Sequence, residues 1–342
     1  MAIKKKDLNF IKKKISESIR PLFFFDDDAD GLSSFLILYD LVKEGKGIII
    51  KTSPDLSLKY LQQVKEYSPD LVIILDKPDV SQEFIDKVHV PIIWLDHHEP
   101  QKRHNVHYFN PRIDDDKDNR PTTYWAHQIN PENLWIATVG CVADWFVPEF
   151  AKDFKKQYPD ILNKLNKNPA ELLFNSRFGE LCKLFNFILK GKTKDSLTCI
   201  KILTRIKDPH EILDKTTPQG KFLYKKYTSA KKEYDQILSE VRPPKDNLLV
   251  FKYSADRTSY TSELSNELLY RYHDKMLIIC REKSGEMRCS LRSTKLNVAK
   301  ILKESLTDVR GYGGGHEHAC GACIDVDDFP RFVENVRSKI SK

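Results

Sequence analysis

The sequence predicts an α/β chain: an N-terminal domain with a mainly parallel sheet flanked by helices, a helical connector or insertion, and a smaller C-terminal α/β domain. Three observations predict it. Apolar runs at 21–25, 47–51, 71–76 and 90–96 alternate with helical patterns, and strands apolar on both faces with helices between them belong to a parallel sheet covered on both sides. From about 147 to 240 the pattern changes to helix periodicity, as in Leu181, Leu184, Phe185, Ile188 and Leu189. Pro243 and Pro244 then break the chain, and a new alternation follows, with strands at 248–253, 276–280 and 287–291 and a helix at 262–272. The expected boundaries are 1–150, 151–245 and 246–342.

Length and composition agree with this division. A chain of 342 residues is about two domains at roughly 150 residues each. With 40% hydrophobic and 31% charged residues it is a globular protein, neither disordered nor collagenous. The apolar stretch ending at Val147 is interrupted by Asp144 and falls short of the ~20 residues of a membrane span. No apolar run follows the lysine-rich start, so a secretory signal is not expected and the expected location is cytoplasmic. Seven cysteines, an odd number, do not suggest a disulfide framework. Cys320 and Cys323 form a CxxC with no second pair to complete a zinc site and read as small buried residues.

The net charge of +7 is unevenly spread. Residues 151–245 hold 21 Lys and Arg against 11 Asp and Glu, or +10, leaving 35 against 38, or −3, elsewhere. Such a segment is either a solvated helix face or a surface for a polyanion, because clustered cations release counterions when they neutralise phosphates.

Acidic residues gather where the strands end. The strand at 21–25 runs into Asp26-Asp27-Asp28-Ala29-Asp30-Gly31, the strand at 71–76 ends in Asp76, and the strand at 90–96 ends in Asp96-His97-His98. In an open parallel sheet ligands bind at the carboxyl ends of the strands. Singly, each strand-end Asp reads as a helix cap or turn residue; together they are a charge cluster that repels by several kcal/mol unless cations neutralise it. Asp144, inside an apolar stretch, also needs a cation nearby. Carboxylates with His and no thiolate favour hard divalent ions such as Mn2+ or Mg2+, and two such ions can lower the pKa of a shared water. Gly313-Gly314-Gly315, followed by His316, reads as a phosphate cradle, with a plain flexible loop as its alternative. Arg292 is a second candidate for holding phosphate.

These residues resemble a known family. Asp28-Ala29-Asp30-Gly31, Asp76, Asp96-His97-His98 and Asp144 following Gly140 are similar to motifs one to four of the DHH phosphoesterase superfamily, and Gly313-Gly314-Gly315-His316 with Ala319 and Gly321 is similar to the DHHA1 signature. Asp26-x-Asp28-x-Asp30-Gly31, with Phe24 where other branches carry histidine, resembles the RecJ-like single-strand exonucleases in their compact archaeal form. The resemblance implies an N-terminal DHH domain and a C-terminal DHHA1 domain, with a cleft that admits one strand. It places Asp28 on one metal, Asp30, His97 and Asp144 on the other, and Asp76 between them. Asp26 takes a supporting or direct role on the first metal, Asp96 orients His97, and His98 contacts the scissile phosphate.

The expected function is that of a two-metal phosphodiesterase degrading single-stranded DNA or RNA from an end in replication or repair, with a helicase complex as a candidate partner and no membrane. A nano-RNase or cyclic-dinucleotide phosphodiesterase is the first alternative. A non-catalytic Cdc45-like replication scaffold is the alternative of another class. His104, His107, His127, His210 and His273 read as surface residues, and Trp125, Trp135 and Trp145 as core. Tyr312 and His318, beside the glycine run, read as packing or base-stacking groups.

Overall fold

The computed structural model describes residues 3–51 and 55–340. The chain divides into two compact units, Met1–Tyr227 and Thr228–Lys342. The division falls inside the helix Pro218–Ser239, so most of the lysine-rich helical segment belongs to the first unit. Among the described residues no helix is long and apolar enough to cross a membrane.

In the first unit β1 (Pro21–Asp26), β2 (Lys46–Ile50), β4 (Leu71–Leu75), β6 (Ile92–Leu95) and β7 (His107–Phe109) form a five-stranded sheet in the order β2-β1-β4-β6-β7. Every pairing is parallel. A two-residue parallel pair, β3 (Asp55–Leu56) with β5 (Asp79–Val80), is separate from it. The β7 strand is unforeseen in sequence because its three residues carry no apolar run: His107 is exposed, and Tyr108 and Phe109 are only partly buried.

The sequence of β1 explains why helices cover both faces. Leu22, Phe23, Phe24 and Phe25 are all fully buried. Alternate residues point to opposite faces: Phe24 meets Tyr60 and Phe84, whereas Phe23 and Phe25 meet Phe35. The register then decides where the chemistry falls. Phe25 pairs with Leu75, Leu75 with Leu95, and Leu95 with Phe109. One step further along each strand stand Asp26, Asp76, Asp96 and Asn110, a row of polar residues at one carboxyl edge.

Helix Ala29–Tyr39 is buried from Ala29 through Leu38 because it contacts β1 and β4 as well as helices Thr122–Ile129 and Leu134–Ala143. Gly140 permits that approach: a Cβ there would stand 2.5 Å from Thr123 Oγ1 and 2.6 Å from Ser33 Cβ. Helix Arg177–Phe187 contacts Leu134–Ala143 and Ala29–Tyr39, and Phe185 meets Trp135 edge-on. Trp125 and Trp135 are buried, but Trp145, expected in the core, is 37% exposed. It follows the helix end at a left-handed φ of 61°, which turns it out of the apolar run. His127 is buried against Phe150 rather than on the surface, and His210 bonds Asp208 and Asp160.

In the second unit the strand order is β11-β12-β10-β9-β8, from β8 (Leu248–Tyr253), β9 (Met276–Lys283), β10 (Glu286–Arg292), β11 (Gly311–His316) and β12 (Ala319–Asp325). Only β8 and β9 pair in parallel. Ser284 and Gly285, both with positive φ, turn β9 into β10. Leu291, Leu302, Ile324, Phe332 and Val336 centre the core of this unit. All seven cysteines are buried and none is in a disulfide, Cys320 and Cys323 among them.

Gly140→Ala is expected to lower unfolding stability by about 1–3 kcal/mol, the range for overpacking a tight contact. A urea midpoint equal to that of the parent protein would show that the helices do not need this approach.

Candidate metal centre

Asp30 begins the construction. It lies in the first turn of the buried helix Ala29–Tyr39, and its carboxylate is held from across the fold: Thr123 N donates to Oδ1 at 2.7 Å and Thr122 N to Oδ2 at 2.8 Å. These N–H groups open helix Thr122–Ile129 and have no partner within it, so the helix start supplies what a buried carboxylate requires. Thr122 Oγ1 donates to Asp76 Oδ1 at 3.2 Å. Asp76, just past β4, adopts φ 57°, a conformation that costs little for Asp and directs the chain away from the sheet.

His97 is the point of convergence. Its Nε2 lies 3.4 Å from Asp76 Oδ1, 3.6 Å from Asp144 Oδ2 and 3.7 Å from Asp30 Oδ2. Three groups among the described residues bring ligand atoms within 4.8 Å of one another: Asp30, His97 and Asp144; Asp76, His97 and His98; and Asp26, Asp28 and Asp76. Burial, then the charges of Asp30 and Asp28, push the Asp144 carboxyl well above the usual carboxylate range. Burial and the neighbouring aspartates do the same to Asp76. Burial also pushes the His97 imidazolium down, against the pull of Asp30, which favours the neutral ring that a metal requires. Negative charge in excess of local positive charge, on oxygen donors with one neutral imidazole, fits a hard divalent cation.

The other predicted residues are placed less simply. Asp96 is fully buried, and it bonds His98 rather than His97: Oδ1 lies 2.8 Å from His98 Nδ1, and Oδ2 accepts from Asn110 Nδ2 at 3.1 Å and Tyr108 OH at 3.3 Å. The reason is the row at the sheet edge, where the groups on and after β7 hold the Asp96 carboxylate on their own side. Burial alone would lower the His98 pKa; the bond and charge of Asp96 outweigh it, and the pKa is raised. Asp28 caps helix Ala29–Tyr39, its Oδ1 accepting from Gly31 N at 3.0 Å, and it is exposed.

Several contributors carry no motif. Lys77, only 1% exposed, places Nζ 2.7 Å from Asp26 Oδ1. Burial pushes the Asp26 carboxyl up in spite of it. Asn186, in the lysine-rich helical segment, accepts from Ala29 N at 2.9 Å and so holds the loop after β1. Burial raises Asp27 to about 6, opposed by the charge of Lys190. A strand-end lysine, a Thr pair opening a helix and a helical Asn are too common in sequences to have been singled out.

In the second unit Arg292 ends β10, half-buried, with neutral partners: Asn266 Oδ1 at 3.3 Å and the carbonyls of Leu291 and Cys320. Burial pushes its pKa down to about 10. Gly313, Gly314 and Gly315 are not a loop. They lie in the edge strand β11, paired with β12, and only Gly315 among them has positive φ. Extended pairing is possible because Gly313 and Gly315 face the β12 backbone so closely that a Cβ would stand 2.6 Å and 2.4 Å from its carbonyl oxygens. Tyr312 is exposed. The His316 side chain lies outside the described part of the structure.

Two family models match, the DHH family N-terminal domain over residues 22–174 and the DHHA1 domain over residues 246–342. The chain belongs to the DHH/DHHA1 superfamily. RecJ in complex with Mn2+ from Thermus thermophilus is similar at a TM-score of 0.70 and 16% identity, covering 98% of this chain and 54% of that one. The DHH protein thus spans about half the length of that relative. The DHH domain of a member of the s1p family of ribosomal proteins gives 0.68 at 15% identity, covering 98% and 90%. An exonuclease RecJ bound to manganese gives 0.59 at 16%, covering 100% and 96%. At these identities the likeness is one of fold. No curated protein matches the sequence.

The raised carboxyl pKa of Asp76 has a defined sign. A folded pKa above the unfolded value means that the ionised group weakens the metal-free fold at neutral pH, and that this cost disappears as pH falls through the folded pKa toward 3.8. Asp76→Asn is therefore expected to stabilise the EDTA-treated protein by about 0.5–2 kcal/mol at pH 7 and by almost nothing near pH 4. Urea unfolding at the two pH values checks this, and a variant no more stable than its parent at pH 7 contradicts it.

Proposed function

We propose that this DHH protein is a metal-dependent phosphodiesterase, a RecJ-like exonuclease that hydrolyses single-stranded DNA or RNA from an end, in replication or repair. One observation carries the reading: Asp30, Asp76 and Asp144, drawn from three places in the sequence, each bring a carboxylate oxygen within 3.7 Å of His97 Nε2. Asp30, His97 and Asp144 would hold one divalent cation, Mn2+ or Mg2+, Asp28 the other, and Asp76 both. Bound there, such cations supply an activated water and offset the charge that builds on the phosphoryl oxygens.

The protein's own groups would do the rest. The helix start at Thr122 and Thr123 holds and orients the Asp30 carboxylate. Asp96 fixes the His98 ring through Nδ1 and favours its charged form, leaving Nε2 as a donor to a phosphate oxygen. Arg292, its partners all neutral, keeps its charge for a second phosphate, to which a guanidinium offers a fork of donors. Trp145, exposed beside Asp144, offers a face on which a base can stack. Most of the lysine-rich helical segment belongs to the unit that carries the metal centre, which suits a long polyanion better than a dinucleotide.

The test is digestion of 5′- and 3′-labelled single-stranded DNA and RNA with Mn2+ or Mg2+. The parent protein is expected to give a ladder starting from one end, and Asp76→Ala to lose roughly 100-fold or more of the rate with its circular dichroism unchanged. Hydrolysis by Asp76→Ala at the parent rate would refute the assignment. Preference for a dinucleotide over a 20-mer would favour the short-substrate alternative.

A further inference from the structure

We infer that Lys77 withdraws Asp26 from the metal-binding set, so that the two cation positions are unequal: a tight one at Asp30, Asp76, His97 and Asp144, and a weak one at Asp28 and Asp76. The inference rests on the metal-dependent reading above and concerns how that centre fills.

Three observations support it. First, the Asp26 charge is already matched within the protein. Its Oδ1 accepts from Lys77 Nζ at 2.7 Å and from Asp27 N at 3.0 Å, and Lys77 is 1% exposed, so water does little to screen the ammonium. A dication bonded to that oxygen would stand within about 5 Å of the ammonium, with charge of the same sign.

Second, the lysine is fixed in place. It directly follows Asp76, whose positive φ shapes the turn, and its carbonyl accepts from Trp94 Nε1 at 3.0 Å inside the sheet core. The ammonium is therefore a built part of the edge on which Asp26 and Asp76 stand.

Third, the remaining ligands divide unevenly. The Asp30 side holds two further ligands, His97 and Asp144, and backbone donors orient its carboxylate. With Asp26 withdrawn, the other side keeps exposed Asp28, which also caps a helix, and a share of Asp76. Substrate phosphate oxygens would then complete the weaker position, coupling its occupancy to substrate.

Calorimetric titration of the metal-free full chain with Mn2+ tests this without reading activity. Two binding phases are expected, separated by roughly tenfold or more in Kd. Asp26→Asn is expected to leave both within about threefold of the parent, whereas Lys77→Met, which frees Asp26, is expected to tighten the weaker phase by about tenfold. Should Lys77→Met not fold because it strands a partly buried carboxylate, the double variant Asp26→Asn/Lys77→Met removes both charges and is expected to reproduce the parent phases. Two phases of equal affinity, or loss of one phase in Asp26→Asn or in the double variant, would overturn the inference while leaving metal-dependent chemistry in place. No Mn2+ binding by the parent protein would overturn both.

Discussion

Mutual repulsion among buried carboxylates is the constraint around which the N-terminal unit is organised. Asp30 and Asp76 are nearly inaccessible to water, and Asp144 stands within reach of both through His97. Apolar contacts do not favour this arrangement, since desolvation opposes each charge and each neighbour adds to the cost. The fold meets part of that cost with oriented dipoles, two N–H groups of a helix start on Asp30 and a threonine hydroxyl on Asp76. The remainder is a cost that a bound cation would offset.

The parallel sheet makes this arrangement possible. With β1, β4, β6 and β7 in matched register, a polar residue placed just after each apolar run arrives at the same edge whatever its distance in sequence. The edge then sorts its groups by position. At one end Asp26 pairs with Lys77, in the middle Asp76 faces His97, and at the other end Asp96 joins His98, Asn110 and Tyr108 in a hydrogen-bonded set. The histidine doublet is thereby divided between two environments: His97 turns toward the carboxylates, and burial keeps it neutral, whereas Asp96 biases His98 toward its charged form.

Sequence patterning revealed what depends on periodicity and missed what depends on long-range partners. Strands β1, β4 and β6 were legible because a residue run buried on both faces must be apolar throughout, and their terminal acids stood out against that background. The β7 strand had no such run. The bond of Asp96 to His98 was not legible, because its other partners Tyr108 and Asn110 stand on and just after a strand that the pattern did not reveal. The glycine run reads in sequence as a phosphate cradle, with a loop as the alternative; that it lies in a strand was not legible, because close pairing with β12 depends on a partner strand. Lys77 and Asn186 gave no local signal, since each acts on a group 51 or 157 positions away.

The account is tested most directly by soaking crystals of this DHH protein in Mn2+ and recording the anomalous difference density. It predicts a peak within bonding distance of Asp30, Asp76, His97 and Asp144 together. A map with no peak there, or with those four side chains turned to different places, would contradict it.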